Sequence, residues 1–230
     1  MSQPISVHIE VWSDYVCPFC YLQEPVFRRL AKEHGDAIEV HWRAFELRPA
    51  PVPTLEPDCG YLQSIWARAV YPMAAEREMT LRLPPVQPRS RKALEAAEVA
   101  REQGLFDRMH SALFKAFFEH GLDIGETGVL VDIGRNAGLD GEALRRALDA
   151  GSYTARVSSD AEEAKCLGIT GVPLMVIRPA GAGEDAGVGI SGAHSYETVV
   201  ASIARVRSDF SAPKYSEDTD LDDSGHRIRP

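Results

Sequence analysis

"VWSDYVCPFCYLQ", residues 11 to 23, places two cysteines, Cys17 and Cys20, directly after a β-like run and at the start of a helical pattern. Upstream, "SVHIEVW" (6 to 12) alternates Val7, Ile9 and Val11 with His8, Glu10 and Trp12, the period of a strand. Downstream, Leu22, Val26, Phe27 and Leu30 fall on one helical stripe from Pro18 to about His34, and Gly35 stands just past its end. A second β-rich run, "IEVHWRAF" (38 to 45), completes a β-α-β opening. The cysteines therefore sit at the first strand-to-helix junction.

A thiol at that junction has a particular chemistry. The unpaired N–H groups and positive end of the helix favour thiolate over thiol, so Cys17 is expected to be the more acidic, more exposed nucleophile. Cys20, one turn further in, is placed to attack a mixed disulfide. Pro18 suits the first helical position, where its missing N–H costs nothing. Two other readings compete. A zinc site would want a second ligand pair, yet Cys59 and Cys166 are isolated and the seven histidines form no such pair. Inert packing of small residues is the other, since free cysteines are often buried.

The rest of the chain fits around that opening. Pro-rich "LRPAPVPTLEPDCG" (47 to 60) breaks the pattern, and helical periodicity then runs from Tyr61 to about Leu167, with Phe106, Met109, Leu113 and Phe117 on one stripe. Ser90, Thr127 and Asp140 are expected N-caps; Gly104, Gly121, Gly138 and Gly151 are expected stops. No repeat of fixed period is present, which favours an all-α insertion over a solenoid. Strands return in "PLMVIR" (173 to 178) and, after a glycine-rich turn (181 to 189), in "VGIS"; a helix at about 195 to 207 follows. The predicted fold is α/β: a mixed sheet from residues 1–58 and 168–212, interrupted by a helical domain over 59–167. The acid-rich remainder, 213–230, reads as a flexible tail.

Composition narrows the function. A formal charge of −9 and a pI near 5.3 supply no basic surface for nucleic acid or anionic membrane. No run approaches a membrane span, and no charged n-region with an apolar h-region opens the chain, so a cytoplasmic protein is expected. In a reducing cytosol a C-x-x-C is catalytic or metal-binding.

A second signal lies 150 residues on, in "GITGVPLMVI", where Pro173 opens an apolar strand after Val172 in the setting of a cis proline. Together "SDYVCPFCYL", "RKALEAAEVAREQGLFDRMHSALFKAFF" and "LGITGVPLMVI…ISGAHSYE" resemble the DsbA-like thioredoxin superfamily, and within it the cytosolic FrnE branch, over about residues 6 to 207. The resemblance implies a thioredoxin domain interrupted by a helical domain, thiol–disulfide oxidoreduction, a catalytic dithiol at Cys17 and Cys20, and a cis-proline loop at Val172 and Pro173 that pairs with substrate as an added strand. It implies no required cofactor, with glutathione as a reductant or substrate, and protein or low-molecular-weight thiols and disulfides as partners.

Kappa-class glutathione transferases and 2-hydroxychromene-2-carboxylate isomerases share the insertion but resemble this chain with serine where Cys17 stands and no partner at Cys20. A glutathione-dependent isomerase or transferase is thus the runner-up, and a non-catalytic binding module the third reading. Among other residues, Pro18 and Phe19 are candidate substrate contacts, and Asp14 is a helix cap or a tuner of the thiol. Trp12 reads as a substrate contact or a sheet-packing residue, and His194 as a solvated loop residue. Trp66, Met73, Phe114, Phe117 and Phe118 are expected in the core, some lining a cleft over the dithiol.

Overall fold

The computed structural model describes residues 6–183 and 186–211. The expected tail over 213–230 and part of the glycine-rich turn lie outside the described residues. Strand β1 (Val7–Ser13) leads into helix α1 (Pro18–His34), a single 3₁₀ turn and β2 (Ile38–Ala44). The helical block follows: α2 (Gly60–Ile65), a π-helical turn (Trp66–Val70), α3 (Tyr71–Glu76), α4 (Arg91–Glu102), α5 (Phe106–Phe118), α6 (Thr127–Ala137), α7 (Gly141–Asp149) and α8 (Thr154–Cys166). β3 (Leu174–Pro179), β4 (Val188–Ser191) and α9 (Tyr196–Ser211) end the described fold. The expected β-α-β, helical insertion, β-β-α order is what the chain adopts.

The sheet order is β2-β1-β3-β4. β1 runs parallel to β2, with Val11 opposite Trp42, and antiparallel to β3, with Val11 opposite Met175; β4 is antiparallel to β3. Period-2 alternation decides what each face meets. Val7, Ile9, Val11, Met175 and Ile177 point to one side and pack with Val26, Phe27 and Leu30 of α1 and Val199, Ile203 and Val206 of α9. On the other side Trp12 packs with Ala164 of α8 and with Ile169. A helix of the insertion thus supplies part of the second layer on the sheet.

The helical block shares a core with the dithiol segment. Tyr15, Cys17, Cys20, Tyr21 and Leu22 belong to the same buried cluster as Trp66, Met109, Leu113, Phe114, Phe117 and Phe118. Phe114 and Phe118, each one position past a residue of the stripe read from α5, supply the aromatic contact with the start of α1. Tyr21 stacks on Phe114 and Phe118, with ring centroids 5.2 and 5.8 Å apart.

Helix ends follow the expected punctuation in part. Asp140 caps α7, accepting from the N–H groups of Glu142 and Ala143. Gly138 ends α6 at φ +104°, a conformation that L side chains rarely adopt. Ser90 occupies the cap position of α4 but has helical φ and ψ and makes no capping bond, and Thr127 is the first residue of α6, with Glu126 before it. Both fail as caps because a capping side chain needs an extended backbone at its own residue or the cap position itself.

Candidate active site

Cys17 is the N-cap residue of α1: its carbonyl accepts from the N–H groups of Cys20 and Tyr21, at 3.1 and 3.4 Å. No side chain caps this helix, that of Cys17 included, and no acidic residue stands in its first turn. Both cysteines are free thiols. Both are also buried, Cys17 at 4% exposure and Cys20 at 0%, so Cys17 is far less open than its place at a helix start suggests. The cause is the wall that Val172 and the two proline-rich loops build around it.

The two thiols differ in what they face. Cys17 lines a cavity of about 260 Å³, whereas Cys20 does not reach it. Burial pushes the Cys20 thiol well up, and a charged Cys17 beside it would push it further; the Ser13 hydroxyl and the Asp14 main chain offset this only partly. Burial therefore holds Cys20 as the neutral thiol.

Val172 and Pro173 come to the dithiol from the far end of the chain. The Cys17 thiol donates to the Val172 carbonyl at 3.4 Å, and the Val172–Pro173 peptide bond is cis. Val172 and Gly171 line the same cavity as Cys17, Pro18 and Phe19. The remaining walls are Leu47, Arg48, Thr54 and Leu55 from one loop, Pro84 and Gln87 to Ser90 from another, and Tyr61, Leu62, Ile65, Trp66, Phe117 and Phe118 from the helical block. Trp66 opens a π-helical turn, a feature that often marks functional sites. Leu47 and Tyr61 are exposed at 37% and 64%, so the apolar lining continues to the surface.

Asp14 does not cap α1. Its carboxylate accepts instead from the N–H of Leu47 at 2.7 Å and the N–H of Val16 at 3.3 Å, tying the dithiol loop to the loop after β2. The group is fully buried, and desolvation raises its pKa to about 6 against the lowering effect of the Leu47 N–H, the facing Ser90 hydroxyl and the Val16 N–H; the nearby Glu46 charge raises it slightly more. Glu46 is itself held by Arg91 at 2.9 Å, and Arg91 also reaches the Ser158 hydroxyl. This polar strut behind the cavity wall has no local signal in the sequence.

The other candidate residues separate clearly. Trp12 is fully buried in the sheet layer, with its indole N–H toward the Asp160 carbonyl at 3.3 Å, so packing is its role. Phe114 is core, while Trp66, Phe117 and Phe118 reach the cavity. The His194 ring bonds the Ser191 carbonyl, and its main-chain N–H donates to Gln23 of α1. Cys59 is half-buried before α2, and Cys166 is exposed at the end of α8. Sequence reasoning missed Leu47, Arg48, Gln87 and Arg89. Their signal was proline itself, because irregular loops held against a rigid scaffold commonly carry binding residues.

A model of the DsbA-like thioredoxin domain matches residues 8–204. The chain belongs to this family. It is 34% identical over 192 residues to the uncharacterised protein YwbO of Bacillus subtilis, covering 79% of this chain and 94% of the relative. Among solved structures, a probable DsbA oxidoreductase from Streptomyces coelicolor superposes with a TM-score of 0.72 at 25% identity, covering 97% and 100% of the two chains. A 2-hydroxychromene-2-carboxylate isomerase (TM-score 0.71, 17% identity, 89% and 100% covered) shares the fold. So does the cytosolic disulfide reductase DsbM of Pseudomonas aeruginosa, solved with GSH (TM-score 0.62, 18% identity, 89% and 97% covered). The fold neighbours of this DsbA-like chain thus include both disulfide oxidoreductases and an isomerase. No described helix is long and apolar enough to cross a membrane.

Proposed function

We propose that this chain is a thiol–disulfide oxidoreductase in which Cys17 attacks and Cys20 resolves, acting on protein or small-molecule disulfides in the cytoplasm. The observation that carries the reading is the asymmetry of the pair: Cys17 lines an apolar cavity beside the Val172 carbonyl, and Cys20 lies behind it with its proton held. The Cys17 thiolate attacks one sulfur of a substrate disulfide, forming a mixed disulfide and expelling the other sulfur as a thiolate. Cys20 loses its proton to that leaving thiolate or to water and attacks the Cys17 sulfur. The substrate's second thiolate leaves, and the enzyme is left as the Cys17–Cys20 disulfide. Two electrons have passed from the dithiol to the substrate; a low-molecular-weight thiol such as glutathione returns them.

Substrate binding follows from the walls. Val172 offers its main chain for strand-like pairing, Pro18, Phe19, Leu47 and Tyr61 give apolar contact, and Arg48 and Arg89 stand among them as cations for acidic groups. We take the domain limits as 1–58 with 168–212, and 59–167, the helical block acting as the cover of the dithiol. The test is turnover of a disulfide substrate such as insulin. Cys17→Ser should lower the rate to background. Retained activity in that variant on a small isomerisable molecule, with glutathione obligatory, would move the assignment to the isomerase or transferase class.

A further inference from the structure

A second group of chemically capable side chains stands on the sheet face opposite α1 and α9, at the far end of β1 from the dithiol. His8 and Ser13 are five residues apart on β1, roughly 16 Å at the rise of a strand. In the parallel pairing His8 lies directly opposite Glu39, and His41, two residues on along β2, shares the face of Glu39. The Glu39 carboxylate meets both rings: one oxygen is 3.4 Å from His8 Nε2, the other 3.1 Å from His41 Nε2. One ligand atom from each residue lies within 4.8 Å of the others, and among the described residues these three form a group of metal-ligand type.

We propose that His8, Glu39 and His41 form a binding site for one divalent transition-metal ion of the zinc type. The spacing is the first reason. Imidazole nitrogen and carboxylate oxygen bind zinc at about 2.0–2.1 Å, which puts two ligands on a tetrahedron about 3.4 Å apart, and each imidazole already stands near that distance from its own Glu39 oxygen, at 3.1 Å for His41 and 3.4 Å for His8. The ring centroids of His8 and His41 are 5.8 Å apart, but a ligand nitrogen of each lies within 4.8 Å of the other, so closing on the ion needs a shift of about 1.4 Å at most, within reach of side-chain rotation. The donor set is the second reason. Two imidazoles and one carboxylate suit zinc and its neighbours better than magnesium or calcium, which prefer all-oxygen sites.

Access and charge agree. The two histidines line an open basin of about 230 Å³ with Glu10, Arg43 and Arg178, and the three ligand side chains are 39%, 57% and 45% exposed in the order His8, Glu39, His41. Both guanidinium groups are spoken for: Arg43 pairs with Glu10 and Asp160, and Arg178 with Glu10. A metal ion therefore meets a Glu39 carboxylate paired with the two imidazoles, while both guanidinium groups are engaged elsewhere. Three protein ligands leave a fourth position open to water or to a further donor.

The test uses the oxidised protein carrying Cys59→Ser and Cys166→Ser, so that no free thiol competes for the metal. Zinc is titrated against a chromophoric chelator, and cobalt is added separately to read ligation from its visible absorption. One equivalent of zinc should bind, and His41→Ala or His8→Ala should each weaken it at least tenfold, with Glu39→Gln between them and the parent. The same histidine variants in the reduced, otherwise native protein should keep their disulfide reductase rate, which separates this site from the redox reading. Absence of zinc binding, or affinity unchanged in His41→Ala, would show that Glu39 merely accepts hydrogen bonds from two surface imidazoles.

Discussion

The Cys17 thiol lies 3.4 Å from the carbonyl of Val172, across 155 positions of sequence. That contact joins the start of α1 to the residue before β3, and antiparallel pairing of β1 with β3 is what delivers it: Trp12 pairs with Leu174, so the segments just beyond both residues emerge together. In the proposed function, a substrate disulfide would reach Cys17 beside Val172, which lines the same cavity.

Asp14 gives a pH signature. Its folded-state pKa of about 6 lies above its ordinary value of 3.8, so the folded chain binds this proton more tightly than the unfolded chain does. The stabilisation is complete below about pH 4 and is lost as pH rises through about 6, a loss on the order of 3 kcal/mol. Asp14→Asn should flatten that dependence. An amide has one acceptor for the two N–H groups of Val16 and Leu47, which limits the gain at pH 7 to less than the full amount. His110 works oppositely in the wild type: burial and the Arg101 and Arg28 charges hold it down to about 3, so it costs stability as pH falls below the ordinary histidine range. Urea unfolding of both proteins from pH 4 to 8 isolates the Asp14 part by difference. The same substitution should remove an inflection near pH 6 from the rate of Cys17 alkylation if the carboxyl tunes the thiol.

Arg91 is a stability prediction with a functional echo. Glu46 is 4% exposed at its side chain and Arg91 29%, so Arg91→Ala leaves a buried carboxylate without its partner. The expected loss is about 2–3 kcal/mol, below the full penalty for a dry pair because the guanidinium is partly solvated. Glu46→Gln with Arg91→Ala should recover much of it. Denaturant midpoints of the single and double variants check this, and a double variant no more stable than Arg91→Ala alone would contradict the pairing.

The cavity mouth and the cavity floor should respond differently. Tyr61 is 64% exposed, so Tyr61→Ala should leave stability within about 0.5 kcal/mol while raising KM for a protein disulfide several-fold. Phe117 is fully buried, and Phe117→Ala should cost about 3–5 kcal/mol. Melting curves and KM measured on the same preparations separate the two roles; an unchanged KM in Tyr61→Ala would remove it from the substrate surface.

Much of this was legible in residue order. Alternation in "SVHIEVW", the apolar stripe after Pro18 and the Phe106 to Phe117 stripe are local patterns, and each became the element it signalled. The strand that brings Val172 to Cys17 was also readable, because "PLMVIR" is a short apolar run bounded by turn residues. What stayed hidden depends on contacts between distant loops. Nothing near Asp14 announces that its carboxylate binds the Leu47 N–H, since that bond depends on how residues 45–48 leave β2. Nor does a helix-start position reveal that Cys17 is 4% exposed, because the covering walls come from the proline-rich loops and the insertion. The His8, Glu39 and His41 group is invisible in sequence for the same reason: parallel register, not spacing, brings it together.

The most direct measurement is trapping of the substrate adduct. Cys20→Ala should be incubated with glutathione disulfide or a protein disulfide, quenched in acid and its intact mass determined, with Cys17→Ser treated alongside. If Cys17 attacks and Cys20 resolves, Cys20→Ala accumulates a mixed disulfide at Cys17 because the second exchange is the step removed, and Cys17→Ser accumulates none there. An adduct on Cys20 in Cys17→Ser, or undiminished turnover in Cys20→Ala without a trapped species, would contradict the assignment.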